Sequence, residues 1–441
     1  MMNYTRRGYN EKYPKILDEL QKDQNDVFWK LNQSANGEKV ESKNLLIPYI
    51  AKYLTDNNLK LDGFTNDELT EKLYNDLQGY SVLTAPLQDV FVEGININAW
   101  NDIRVKFING QSKKIDGFNS PQHAIDIFRR LLQSSGQTLD EAIPMAEGSI
   151  NNNIRITVLQ APIVDNNIGV CCYIRKLSKR VFTEKEYLVG EFAVKKELDL
   201  LRTALRRGVS TLLVGKVNTG KTTLMSYLLS TLPDDTQIIT IEQGARETNL
   251  VKTDSDGNVT NNVVHLLTKE SQVEEQNITQ EKLVEKMLRL NPDVASVAEM
   301  RNTEAYAAQE ASLSGNVIIS TAHAGSPQQA HKRVANLCRK KYPIDFHTAL
   351  EQACEAFPLV VFIHTLEDNK RRIMNISECV VENGNINYRT LWEYQIEDNF
   401  IDESGAHIRG KHVQVNDLSE SLLTRMKMYG ISKDEIEQIK I

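Results

Sequence analysis

The chain has 441 residues, 25% of them charged and 41% hydrophobic, and its 59 acidic against 52 basic side chains give a formal net charge of -7. That length implies two or three domains with cores of their own, and the acidic balance excludes a nucleic-acid surface spread over the whole molecule, leaving room for a local basic patch. No apolar run reaches the roughly 20 residues needed to span a bilayer, so a membrane role would be peripheral.

The N-terminus MMNYTRRGYNEKYP carries basic residues but no apolar run after them, so no export signal is expected. The five cysteines are odd in number and lack C-x-x-C spacing, which reads as reduced thiols in a cytosolic chain, not a disulfide frame or a zinc site. Residues 1–80 are rich in Lys, Asn and Asp, with amphipathic stretches in which Leu17, Leu20, Val27, Phe28 and Leu31 line one side of a helix or helical pair. This helical extension is either a cap on the neighbouring domain or a docking arm for a partner protein.

From residue 81 to 176 the pattern changes to β-branched alternation. DVFVEGININAWNDIRVKFING reads as strands with turns at Asn101-Asp102 and Asn109-Gly110. A helix is predicted from Pro121 to about Ser134, then strands in NNIRITVLQAPI and IGVCCYIRKL, which together make a small α+β domain with a mainly antiparallel sheet. Arg155 and Arg175 fall inside these strands, where each charge faces solvent or a partner. Residues 177–197 are read as a linker, with Thr183 to Glu186 as a capping box.

Residues 198–441 carry the chemistry. Leu212, Leu213 and Val214 form a short buried strand, LMSYLLSTL has helical spacing, and between them stands G-x-x-x-x-G-K-T. Gly215 and Gly220 let backbone N–H groups approach an anion, Lys221 supplies a charge for the outer phosphates, and Thr222 offers a hydroxyl to Mg²⁺ at a helix N-terminus. Lys216, Val217, Asn218, Thr219 and Thr223 complete the cradle; Asn218 stands where glycine is common and tolerates positive φ. Apolar runs at 236–242, 293–299, 316–321 and 359–366 alternate with helical patterns, which indicates an α/β, doubly wound parallel sheet binding ligand at its carboxyl edge.

Glu242, Glu299 and His323 lie at or just past those strand ends. A carboxylate there can orient a water or hold Mg²⁺ against a triphosphate; it can equally cap the next helix. The run Asp254-Ser-Asp-Gly-Asn lacks a Glu at the twelfth position and reads as a polar hairpin tip, and the histidines show no zinc pairing. The chain after Pro358 reads as strands joined by turns such as Asn383-Gly384. The tail reads as two helices, one ending at Gly430 and one opened by Ser432 to Glu435.

With these motifs in order, the chain resembles the secretion and type IV pilus ATPase superfamily, most closely its VirB11-like and Tad-type (CpaF-like) members. LRLNPDVASVAEMRNTEAYAAQEASLSGNVIISTAHA is similar to that family's Walker B segment and His box, and ITIEQGARE stands in the place of its Asp box. EGININAWNDIRVKFING is similar to the opening strands of its N-terminal domain. The resemblance implies a RecA-like P-loop NTPase domain with a smaller α+β N-terminal domain, ATP and Mg²⁺ as ligands, and Glu299, Glu242 and His323 as catalytic groups. It also implies Thr222 and Glu299 at the metal, with Arg155 and Arg175 reaching the phosphates.

As partners it implies a homo-oligomeric ring, a hexamer, on an integral-membrane secretion or pilus platform at the cytoplasmic face of the membrane, with no direct nucleic-acid binding. The chain departs from the family at Gln243, Glu247, Ala298 and Asn316. The altered Asp box keeps open a nucleotide-binding scaffold that does not turn ATP over. The shared RecA-like architecture keeps open a nucleic-acid-translocating ATPase, against which the acidic balance argues.

Overall fold

A computed structural model describes residues 12–17, 19–20, 39–108, 111–133, 135–150, 153–177, 180–269, 274–382, 384–402 and 405–440. The expected apolar positions Val27, Phe28 and Leu31, the Asn109-Gly110 turn, Ser134 and Asn383 lie outside these residues. The chain divides into two compact units, Met1–Leu177 and Ser178–Ile441.

The first unit begins with helices. Helix α1 (Lys39–Asp56) is followed by α2 (Asn66–Leu77), which opens on a capping box in which Thr65 and Glu68 satisfy each other's backbone N–H. Leu69, Leu73 and Leu77 recur at helical spacing along α2 and bury against Leu54, Leu61, Tyr13, Ile16 and Leu20. Buried Asp76 ties this layer to the rest of the unit: it accepts from Tyr13 Oη at 2.7 Å and from Asn119 Nδ2 at 2.9 Å. Arg130 donates to its backbone carbonyl at 3.1 Å.

Six antiparallel strands come next: β1 (Val92–Ala99), β2 (Asp102–Phe107), β3 (Ser112–Ile115), β4 (Met145–Ile150), β5 (Ile154–Gln160) and β6 (Val170–Lys176), in the order β3-β2-β1-β6-β5-β4. The strands β3 and β4 were not distinguishable in the sequence, being short and mostly exposed or partly exposed. Helix α3 (Pro121–Gln133) buries Ala124, Ile127, Phe128, Leu131 and Leu132 in the same core as the inward residues of β1, β2, β5 and β6.

The second unit starts with the short helix α4 (Glu184–Val189), capped by Thr183 and Glu186, and α5 (Lys195–Arg206). Tyr187, Phe192 and Ala193 belong to this unit's core. Among the described residues its sheet has nine strands. Six are parallel neighbours: β7 (Thr211–Val214), β8 (Ile238–Glu242), β9 (Val263–Leu267), β10 (Val294–Val297), β11 (Val317–Ala322) and β12 (Leu359–Thr365), ordered β12-β7-β11-β10-β8-β9. Antiparallel β13 (Arg371–Glu382), β14 (Asn385–Asp402) and β15 (Gly405–Gln414) extend it beyond β12.

Strand alternation places a core on each face. Leu212 and Val214 pack with Ile239, Ala295, Ile318 and Val360, whereas Leu213 packs with Ile319 and Val361. The covering helices are α6 (Lys221–Ser230), α7 (Gln280–Met287), α8 (Glu304–Leu313), α9 (Pro327–Lys341), α10 (Phe346–Ala356), α11 (Glu420–Met428) and α12 (Lys433–Ile439). The tail agrees with the sequence reading: Gly430 sits at φ 75° after α11, and Ser432 with Glu435 caps α12. Asp254 accepts from the N–H groups of Asp256 and Asn258, closing the polar tip between the bridged residues Thr253 and Val259.

Candidate functional site

The carboxyl edge of the parallel strands brings Gly215, Glu242, Glu299 and His323 onto one side of the sheet. The register pairs Val214 with Ala322, Val297 with Ser320, and Ile241 with Val297, so the residues after each strand emerge together. Between β7 and α6 the backbone takes three positive φ values: 155° at Gly215, 62° at Asn218 and 97° at Gly220. The two glycines are required for different reasons. A Cβ on Gly215 would stand 2.2 Å from the carbonyl oxygen of Ile363, so β7 and β12 approach too closely for any side chain. A Cβ on Gly220 would meet nothing nearer than 3.7 Å, and glycine is demanded there by backbone conformation alone.

Gly220 caps α6 with no side-chain hydrogen bond, so the first N–H groups of that helix and its positive dipole end face the loop. Thr219 Oγ1 closes the loop by donating to the Lys216 carbonyl at 3.0 Å. Lys216, Val217 and Asn218 form its exposed tip, while Lys221 is buried and Thr222 and Thr223 are partly exposed. Lys221 Nζ donates to the carbonyls of Gly215 at 3.1 Å and Lys216 at 2.7 Å, and lies 3.4 Å from His323 Nδ1.

His323 links that lysine to an acid. Its Nδ1 is 3.1 Å from the Gly215 carbonyl, and its Nε2 is 3.0 Å from Glu299 Oε1. The other carboxylate oxygen of Glu299 accepts from Arg301 at 2.5 Å, and this contact raises the affinity of the Arg301 guanidinium for its proton. Glu299 Oε1 is buried and, among the described residues, lacks an aligned hydrogen-bond donor; the His323 contact has the distance but not the geometry. Arg301 was not singled out in the sequence, although it stands two residues beyond Glu299 in the same segment.

Glu242 is arranged differently. It is 1% exposed, and its Oε1 accepts from Thr248 Oγ1 at 2.6 Å and Thr240 Oγ1 at 3.2 Å. Its Oε2 accepts from the N–H of Thr248 at 3.0 Å and from the N–H of Glu247. Burial pushes this carboxyl up, but hydrogen bonds from His265, Thr248 and Glu247 outweigh it and hold the group below its ordinary range. The loop after β8 is thereby folded back onto the strand end. His265, on β9, lies 3.6 Å from Glu242 Oε1 and 2.7 Å from Thr240 Oγ1; the strand carrying it is partly exposed and was missed in the sequence.

In the first unit, Arg155 and Arg175 are directly paired across β5 and β6. Both are partly exposed and share a face with Thr157 and Tyr173, opposite the face that buries Ile154, Ile156 and Ile174. Like charges in register repel, so the pair concentrates positive charge on one face of this sheet.

Residues 101–377 match the family described as Type II/IV secretion system protein. The type IV secretion system protein PtlH of Bordetella pertussis is 30% identical over 184 residues, which cover 40% of this chain and 52% of that protein. The protein MJ0900 of Methanocaldococcus jannaschii is 24% identical over 281 residues, 63% of this chain and 49% of that one. The chain thus spans about half the length of these curated relatives. Among solved structures, the ATPase DotB of Legionella pneumophila aligns with a TM-score of 0.46 at 16% identity, covering 71% of this chain and 80% of that one.

Proposed function

Because the chain belongs to the type II/IV secretion system protein family, we propose that it is an ATP-hydrolysing traffic motor, working as a homo-oligomeric ring against an integral-membrane secretion, pilus-assembly or conjugation platform. No helix among the described residues is long and apolar enough to cross a membrane, and the proposal places the protein peripherally at the cytoplasmic face. The observation that carries the reading is the connected series Lys221, His323, Glu299 and Arg301 at the mouth of the Gly215 to Thr222 turn.

In this reading the N–H groups of the turn and of the first helical residues bind the phosphates, with Lys221 neutralising the outer ones. Glu299 polarises the attacking water, while His323 senses the phosphate end and Arg301 orients the carboxylate. Thr222 and Glu299 would hold Mg²⁺, and the fit is supported by the buried Glu299 Oε1, which has no aligned donor and so offers an oxygen to a cation. The ion would supply charge neutralisation across the β- and γ-phosphates. Glu242 acts as a positioning residue that fixes the 243–248 loop. Arg155 and Arg175, in register on the first unit, are proposed as further cationic groups for an anionic ligand.

The test is ATP turnover by purified protein beside Lys221→Ala and Glu299→Gln. Each variant is expected to lose roughly 10²–10³-fold in turnover, as when one preorganised electrostatic group is removed from such a site, with nucleotide binding retained in Glu299→Gln. Equal rates in all three proteins would overturn the reading, and tight ATP binding without phosphate release in the wild type would replace it with the scaffold. The ring is tested by the mass of the particle with and without ATP and Mg²⁺.

A further inference from the structure

In the second unit, a buried polar cluster joins three elements that the nucleotide site does not use. His331 on α9 and Cys354 on α10 are fully buried, and Cys379 on β13 is 5% exposed. Their ligand-capable atoms all lie within 4.8 Å of one another. We propose that His331, Cys354 and Cys379 bind one Zn²⁺ ion, which clips the helix pair α9 and α10 to the antiparallel extension β13 and β14.

The imidazole is already set for this role. Its Nε2 lies 2.9 Å from the Phe357 carbonyl, which can only accept, so Nε2 carries the hydrogen and Nδ1 presents its lone pair. A ring N–H given to a backbone carbonyl is the arrangement that fixes the tautomer of a metal-bound histidine. Nδ1 accepts from Tyr388 Oη at 2.9 Å, and the same hydroxyl is 3.7 Å from Cys354 Sγ. Tyr388 stands opposite Cys379 in the β13 and β14 register, so its hydroxyl can turn from Nδ1 to a thiolate sulfur once a cation takes the lone pair.

Two sulfurs and one imidazole nitrogen suit a borderline-soft cation, and Zn²⁺ takes Cys and His ligands at about 2.3 and 2.0 Å in tetrahedral array. Ligands at those distances stand about 3.5–3.8 Å apart, so the three donors need only small side-chain rotations. A cavity of about 250 Å³ bordered by Cys354 and Cys379 adjoins the cluster and has room for a water as fourth ligand. Binding replaces two thiol protons, which are released to solvent, by one divalent cation, so the buried site carries no net charge. The sequence suggested no zinc ligands because the three donors come from separate elements; the fold brings them together.

The experiment uses the full chain, purified under reducing conditions, with Zn²⁺ alone and Co²⁺ alone as probes. Expected are about one Zn²⁺ per chain after exhaustive dialysis, a thiolate-to-cobalt charge-transfer band with Co²⁺, and a thermal midpoint that rises with Zn²⁺ and falls with a chelator. Cys379→Ala and Cys354→Ala should lose metal retention and the cobalt band, with circular dichroism confirming that they fold. The cobalt titration of the wild-type protein needs no variant. Wild-type protein with no retained zinc and no cobalt band overturns the proposal, and so does unchanged retention in both cysteine variants. Isolation of a chain two hydrogens lighter, with Cys354 and Cys379 joined and no metal uptake after reduction, also overturns it and makes the pair a disulfide.

Discussion

Replacing Glu242 separates anchoring from catalysis. In Glu242→Gln, the new amide nitrogen can take the place of Oε1, where the hydroxyls of Thr240 and Thr248 can rotate to accept, while the remaining carbonyl oxygen still faces the N–H groups of Thr248 and Glu247. What is lost is the charge on those bonds: two charge-assisted hydrogen bonds of about 1.5–3 kcal/mol become neutral ones of about 0.5–1.5, a loss of about 2–3 kcal/mol in all. Glu242→Ala leaves both N–H groups without their acceptor, at about 1–3 kcal/mol each, so about 2–6 kcal/mol. At about 2–4 °C per kcal/mol for a unit of this size, the glutamine variant should melt roughly 4–12 °C lower and the alanine variant, at the upper end of its range, lower still.

Thermal unfolding of the full chain reads this directly, with ATP turnover measured well below each midpoint. If Glu242 is an anchor, the glutamine variant keeps most of its turnover while losing stability. A glutamine variant with unchanged midpoint and turnover reduced by about 10²-fold or more would refute the reasoning, because the carboxylate would then be acting on the nucleotide itself.

The two glycines of the turn should respond differently to alanine: Gly215→Ala drives a Cβ into the Ile363 carbonyl and should cost several-fold more stability than Gly220→Ala, whose cost is backbone strain of about 1–2 kcal/mol. Equal denaturation midpoints would contradict this. Acid should weaken the second unit through Asp368: burial pushes its carboxyl up, but Arg372 and the Lys370 N–H outweigh that and hold it below its ordinary range. The folded chain therefore binds that proton more weakly than the unfolded chain. The stabilisation is complete above the unfolded value of about 4 and is lost as pH falls through the lower folded value. Asp368→Asn should melt lower at pH 7 and show a shallower fall on acidification; a parallel fall would refute it. Asp76→Ala, by removing the carboxylate that accepts from Tyr13 Oη and Asn119 Nδ2, should expose the N-terminal helical layer to limited proteolysis before the rest of its unit unfolds.

The phosphate turn was legible because its requirements are local. Positive φ at Asn218 and Gly220 and a buried strand before a helix leave marks on neighbouring residues, and the structure shows both. Glu242 was legible as an acid at a strand end but not as an anchor, since its donors come from a loop that folds back and from His265 on a partly exposed strand. Arg301 was hidden by its ordinariness, an arginine whose partner is decided by the turn after β10. The meeting of His331, Cys354 and Cys379 depends on helix packing against a hairpin, which no linear spacing encodes.

The Lys221 ammonium already holds two carbonyl oxygens of its own loop. Under the proposed function, an anion that takes over either of those donors gains only the difference between the two sets of bonds, while the third N–H, near His323 Nδ1, can be engaged without displacing a carbonyl. Weakly charged or singly attached anions gain little from that exchange, whereas a chain of adjacent phosphates can engage the lysine and the helix N–H groups at once. If the turn binds nucleotide as proposed, the lysine's existing partners favour a chain of phosphates over lone anions such as sulfate or orthophosphate.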